Sequence, residues 1–143
     1  MKDYLAIWAK ELLQRESMEL SAPVRVIGER KERLGPGLFE VARVQLMVHP
    51  APSFAVEDVV AEKGELERLH IPWPDTPIFG LLDVLLLTEP TPLYRVRVVL
   101  EKVWYHETDS NQSAFHHAGR DAGQKILDRI LVHRIHGSDY QVT

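Results

Sequence analysis

Two stretches of strict alternation limit this chain more than anything else in it. In residues 38–49, Ala42, Val44, Leu46 and Val48 occupy every second position, with Arg43, Gln45 and His49 on the opposite set. In residues 93–103, Tyr94, Val96, Val98 and Leu100 do the same against Arg95, Arg97 and Glu101. Successive side chains of a strand point to opposite faces, so this period builds a sheet with one apolar face and one wet face. Such a face must be covered, and the chain supplies helices for it. Residues 76–88 are apolar almost throughout, with Thr76 placed to cap them and Pro77 at the first helical position. Residues 109–135 carry Phe115, Ala118, Ala122, Ile126 and Ile130 at helical spacing after a cap at Asp109 or Ser110. The small residues Ala118, Gly119, Ala122 and Gly123 let this helix approach another element closely. Further strands are expected at 24–30 and 54–61, and a helical turn at 65–69. The expected fold is a two-layer α+β sandwich with both long helices on one sheet face. Val44, Leu46, Val96, Val98, Phe115, Ala118 and Ala122 should lie in its core.

Residues 2–18 also repeat apolar side chains at helical spacing, with Trp8 and Leu12 among them. The expected organisation is therefore an N-terminal helical extension, residues 1–22, and one domain, residues 23–143. Trp8 and Leu12 need cover, which packing on the domain or homo-oligomerisation through this helix would provide. Hydrophobic residues at 45% and charged residues at 27% suit a folded domain and exclude a disordered tail as the main content. The absence of cysteine removes disulfides, thiolate metal sites and cysteine nucleophiles, and fits a reducing cytoplasm. Asp3 and Glu11 interrupt the first residues, against a signal peptide, and the apolar run at 78–87 is too short to span a bilayer. No membrane partner is expected. The net charge of −4 gives no general attraction to RNA, so any contact with nucleic acid needs a local basic patch.

The most specific signal lies at residues 96–119. A strand of alternating valines leads into Tyr105, His106, Glu107, Asp109 and Ser110, and then Ala114, Phe115, Ala118 and Gly119 open a helix. This stretch resembles domain IV of elongation factor G, which has Tyr-His-Glu-x-Asp-Ser followed by Ala-Phe-x-x-Ala-Gly in the same register. Upstream, Gly35 and Gly37, the strand 41–48 and His49-Pro50-Ala51-Pro52 fit the family's outline more loosely. The resemblance covers residues 24–135. It implies the fold of the second domain of ribosomal protein S-five, a mostly antiparallel four-stranded sheet with two helices on one face. It further implies a non-catalytic module that meets the ribosome or structured RNA through two tip loops, here 30–38 and 102–108. On that basis Arg30, Lys31, Arg33, Lys102 and His106 are the candidate RNA-binding residues. Where the family's first tip reads Gly-Gly-Arg-Gly-Gln, this chain has Leu34-Gly35-Pro36-Gly37-Leu38. No phosphate-binding Gly-x-x-x-x-Gly-Lys-Ser/Thr loop occurs, so the domain is expected to stand alone, without a GTPase, and without a cofactor.

Other chemistry is available on paper. Arg25, Arg43, Arg95 and Arg97 can share the open face of the sheet as a second RNA-binding set, or simply pair with Glu29 and Glu101. His106, His117 and Asp121 could form a two-histidine, one-carboxylate metal site of a small hydrolase, although ordinary surface histidines explain them as well and no metal is expected. Ser110, Asp109 and His106 contain the residue types of a hydrolytic triad, but a helix cap accounts for the first two. A protein-interaction module that kept the fold without RNA binding is the remaining alternative.

Overall fold

The alternating segments do form strands, and their period sets the layering. The computed structural model describes Tyr4, residues 16–89 and residues 91–142, with side chains through residue 130. Its elements are β1 (Val24–Gly35), β2 (Leu38–Pro50), β3 (Ala55–Asp58), α1 (Lys63–Arg68), α2 (Asp75–Leu85), β4 (Val96–Tyr105) and α3 (Gln112–Val142). The strands form one sheet in the order β1-β2-β4-β3. The pairs β1–β2 and β2–β4 are antiparallel, and β3 runs parallel to β4. A parallel neighbour requires a crossover, and α1 and α2 occupy it.

The even-numbered positions of β1 and β2 face the helices. Val26, Ala42, Val44, Leu46 and Val48 are buried there, with Val96, Val98 and Leu100 beside them from β4. Phe115, Ala118, Ala122 and Ile126 of α3 close over these strands, and Ile78, Leu81, Leu82 and Leu85 of α2 fill the remaining volume. All the core residues expected from periodicity are buried. The close approach is reciprocal. A methyl group added at Gly119 would run into the Pro77 carbonyl, one at Gly80 into the His116 carbonyl, and one at Gly28 of β1 into the Ala118 carbonyl.

Several boundaries differ from the sequence reading. Strand β1 continues to Gly35 instead of ending near Arg30, because Arg30 and Glu32 stay in register with Ala42 and Glu40. Strand β3 is short, since the Asp58 carboxylate accepts the Val60 N–H and turns the chain. Thr76 sits inside the first turn of α2, where its hydroxyl donates to the Pro72 carbonyl, and so it is not the cap. The cap of α3 is Asn111, whose side-chain oxygen accepts the Ala114 N–H at 2.7 Å.

The helix expected at 2–18, with Trp8 and Leu12, lies outside the described residues apart from Tyr4 and residues 16–18. Tyr4 is buried, edge-on to Phe54 and Phe79, and its hydroxyl donates to Asp75 at 2.8 Å. Burial and this bond to a carboxylate push its ionisation well above the ordinary range. The Ser17 hydroxyl accepts the N–H groups of Tyr94 and Arg95, which ties residue 17 to the segment entering β4. Among the described residues, no helix is long and apolar enough to cross a membrane.

Strand β1 is an edge, and α3 covers its inner half. The Asp121 carboxylate accepts the Glu29 N–H at 2.9 Å. Lys125 donates to the Ile27 carbonyl at 2.7 Å, and Arg129 to the Arg25 carbonyl at 2.8 Å. Spaced one turn apart on α3, these side chains occupy backbone groups that would otherwise template a foreign strand.

Candidate nucleic-acid interface

The β1–β2 hairpin and the loop after β4 lie at the same end of the sheet. Pairing of β2 with β4 stops at Ala42 opposite Tyr105, while β1 and β2 stay paired out to Gly35 opposite Leu38. At ~3.4 Å per residue, the hairpin therefore projects roughly 13 Å past the end of β4. Pro36 and Gly37 make its turn. Gly37 takes φ +71°, a conformation open to glycine, and proline presets the residue before it. The loop at 106–111 docks on the base of this arm. Val41 N–H donates to the Asp109 carbonyl at 3.0 Å, and the Ser110 hydroxyl donates to the Val41 carbonyl while accepting the His106 N–H. Ser110 is buried by these contacts and is not poised for nucleophilic chemistry.

A bulge in β4 decides which side chains reach the open face. Gln45 pairs with Lys102 but Leu46 pairs with Leu100, so Glu101 is an extra residue. The apolar phase shifts with it. Leu100 and Val103 both face the core, and Lys102 and Trp104 are turned outward. Without the bulge Lys102 and Trp104 would point inward. Glu101 accepts both Arg25 nitrogens, at 2.9 and 3.1 Å, and the Gln45 amide at 3.0 Å. The Arg25 hydrogen bonds, followed by the one from Gln45, hold its carboxylate below the ordinary range in spite of desolvation.

Charge on the open face is unevenly paired. Arg25, Lys31, Arg33, Arg43, Arg97 and Lys102 lie on it with Glu29, Glu57 and Glu101. Each acid is held by an arginine: Glu101 by Arg25, Glu29 by Arg43 at 3.1 Å, Glu57 by Arg97 at 2.6 Å. Among the described residues, Lys31, Arg33 and Lys102 have no ion pair. A chain of net charge −4 thus presents one face whose unpaired charges are all positive.

The candidates from sequence are redistributed by this geometry. Lys31 and Arg33 lie on the open face of the hairpin arm, on a strand and not in a loop. Arg30 points to the other face, where it pairs with the nearly buried Glu40 at 3.1 Å and lies 3.9 Å from Glu32. That is a structural ion pair. Lys102 is on β4, level with Ile27 and Gln45, well back from the tip. His106 is in the docked loop, its Nδ1 accepting the N–H groups of Thr108 and Asp109, which assigns the proton of the neutral ring to Nε2. Arg95 is exposed just ahead of β4 and has no ion pair among the described residues. Lys31, Arg33 and Lys102 of the first set share the open face with Arg25, Arg43 and Arg97 of the second, and Arg30 does not.

The sequence offers few aromatics for this surface, Phe39 and Trp104, and the structure leaves both of them exposed. Trp104 and Phe39 are 40% and 45% exposed, both on the open face. Trp104 pairs across β2 with Arg43, whose guanidinium lies 5.5 Å from the ring centroid, and Phe39 pairs with Arg33. The signal available was the broken period between Leu100 and Val103, which places Trp104 outside. The metal candidates do not converge. Asp121 is taken by Glu29 N–H and by Lys125 at 3.0 Å, and His117 is exposed. Among the described residues, no group of three or more potential ligands could hold a metal ion. Neighbouring His116 instead meets Asp83 at 3.2 Å, alongside Arg120 at 2.8 Å, and joins α3 to α2.

No family model and no curated protein matches this chain. Among solved structures, it is similar to a crystal structure of a protein from Thermus thermophilus, with 19% identity and a TM-score of 0.61. The likeness takes in 73% of this chain and 16% of that one, so it concerns a domain-sized part of a much longer protein. It supports the α+β fold.

Proposed function

We propose that this domain is a non-catalytic RNA- or ribosome-binding module of the translation-factor kind, acting in the cytoplasm. The observation that carries the reading is the open face with its projecting hairpin, where every acid is paired and Lys31, Arg33 and Lys102 are left to meet phosphate. The resemblance of residues 105–119 to domain IV of elongation factor G supports it from the sequence side. Co-sedimentation with ribosomes over a range of salt tests it. Lys31→Glu with Arg33→Glu should strongly reduce binding, most visibly at low salt, without changing the unfolding midpoint. Arg95→Glu with Arg97→Glu should matter less, because Arg97 is already neutralised by Glu57 and Arg95 lies ahead of β4, at the end of the sheet away from the hairpin. Binding unaffected by either pair would remove the RNA reading.

One observation favours a protein partner instead. Leu34 and Leu38, at the end of the hairpin, are 57% and 61% exposed. If ribosome association survives the charge reversals but is lost in Leu34→Ser with Leu38→Ser, the arm serves as a protein-interaction element.

A further inference from the structure

The open face has more than charge. Trp104 stands on β4 and Phe39 on β2, both outward and both about half accessible. Glu29 holds Arg43, and the Arg43 guanidinium lies 5.5 Å from the Trp104 ring centroid, a contact that favours one orientation of the indole. Phe39 lies four positions along β2 from Arg43, roughly 13 Å at ~3.4 Å per residue. Val41 lies between them on the same face, so Phe39 and Val41 form an apolar track along β2 that ends at the Arg43–Trp104 pair. The unpaired cations flank this track on one side. Lys31 is opposite Val41 and Arg33 opposite Phe39, both on the edge strand β1, and Lys102 closes the inner end.

We infer that this face binds unpaired nucleotides, with bases stacked on Trp104 and Phe39 and the phosphate backbone following Lys31 and Arg33 along β1. The inference rests on the RNA-binding reading above and narrows it to single-stranded RNA. Stacking selects single strands for a physical reason. A base inside a duplex has both π-faces covered by its neighbours, whereas a loop or free end can offer one to a protein ring. Charge complementarity argues for a polyanion over an acidic peptide, since the aromatic positions are spaced along the track with cations at its side. The inner edge of β1 is closed to a peptide strand by Asp121, Lys125 and Arg129, which also disfavours sheet extension by a protein partner there.

The test measures equilibrium binding of the full chain to a fluorescently labelled, mixed-sequence RNA oligonucleotide and to the duplex formed with its complement, at one salt concentration. The single strand should bind more tightly than the duplex. Trp104→Ala and Phe39→Ala should each weaken single-strand binding about five-fold or more and leave duplex binding unchanged. Trp104→Phe should restore most of the affinity, because any aromatic face stacks. Circular dichroism and the unfolding midpoint verify that these exposed positions leave the fold intact. Equal affinity for strand and duplex overturns the inference, and so do alanine variants that bind the strand like the parent. If those variants are silent while Lys31→Glu with Arg33→Glu abolishes binding, stacking is wrong and the electrostatic RNA reading stands. If neither RNA binds, both readings fall and a protein becomes the occupant of this face.

Discussion

Glu101 shows how much one residue decides. As the extra residue of the β4 bulge it turns Trp104 outward, and its carboxylate gathers Arg25 and Gln45 from both other strands of the antiparallel part of the sheet. Because hydrogen bonding to Arg25 depresses its folded-state pKa below the ordinary 4.5, the native state binds this proton less tightly than the unfolded chain. Its contribution to stability is therefore present above that value and is lost as pH falls through the folded pKa. Glu101→Gln should unfold at a lower temperature than the parent near pH 7, by roughly a few degrees, and the gap should narrow at an acid pH below the folded pKa. Thermal unfolding at the two pH values checks this; a gap independent of pH would mean that Glu101 acts by shape alone. Both the bulge and the cap of α3 were only half legible. Leu100 and Val103 betray a change of phase, but a chain alone does not say which residue is extruded. Asp109, Ser110 and Asn111 are consecutive and each is a good cap. The choice falls to Asn111 because its oxygen reaches the Ala114 N–H, while Ser110 is drawn off to Val41.

At the scale of elements, small residues let the two helices and the sheet touch backbone to backbone. The sequence showed the α3 side of this in Ala118, Gly119, Ala122 and Gly123. It did not reveal the matching Gly28 in β1 and Gly80 in α2, since a lone glycine in a strand or helix also reads as a break. With the Ala118 carbonyl against Gly28 and the His116 carbonyl against Gly80, neither backbone can yield without shifting a whole element. Gly28→Ala and Gly80→Ala should each destabilise the domain by ~1–3 kcal/mol, as overpacking of an interior does. Gly64 is the control. It lies in α1 with nothing within 4 Å of an added methyl, so Gly64→Ala should be neutral or stabilising by up to ~1 kcal/mol. Urea unfolding of the three variants separates the cases. A loss at Gly64 as large as at Gly28 and Gly80, or no loss at any of the three, would mean that the close backbone contact does not govern these positions. The hairpin was misread for a related reason. Arg30-Lys31-Glu32-Arg33 looks like solvated loop, yet the cross-strand register and the Arg30–Glu40 pair carry the strand through it.

For the whole molecule, the decisive quantity is the difference between net and local charge. Composition made it clear that a chain of net charge −4 needs a basic patch to meet RNA, but not where the patch lies. Strand parity could have placed Lys31 and Arg33 on one side and Arg30 on the other, had the strand been recognised. The position of Lys102 depended on the bulge, and the silencing of Arg25, Arg43 and Arg97 by their acids depended on cross-strand register. This arrangement predicts the salt response in number as well as sign. Each cation that neutralises a phosphate of a single strand adds about −0.7 to the slope of log affinity against log salt. If Lys31, Arg33 and Lys102 are the contacts, the slope for a single-stranded oligonucleotide should be about −2. Replacing Lys31 and Arg33 by glutamine should bring it to about −0.7, because only Lys102 remains. Glutamine in place of Arg25 and Arg97 should leave it nearly unchanged, since those guanidinium groups already have their counter-charges in the protein. A slope as steep as about −4 in the parent would require the paired arginines to let go of Glu29, Glu57 and Glu101 on binding. The surface would then be one that rearranges its ion pairs around the ligand, and not a track already formed in the free protein.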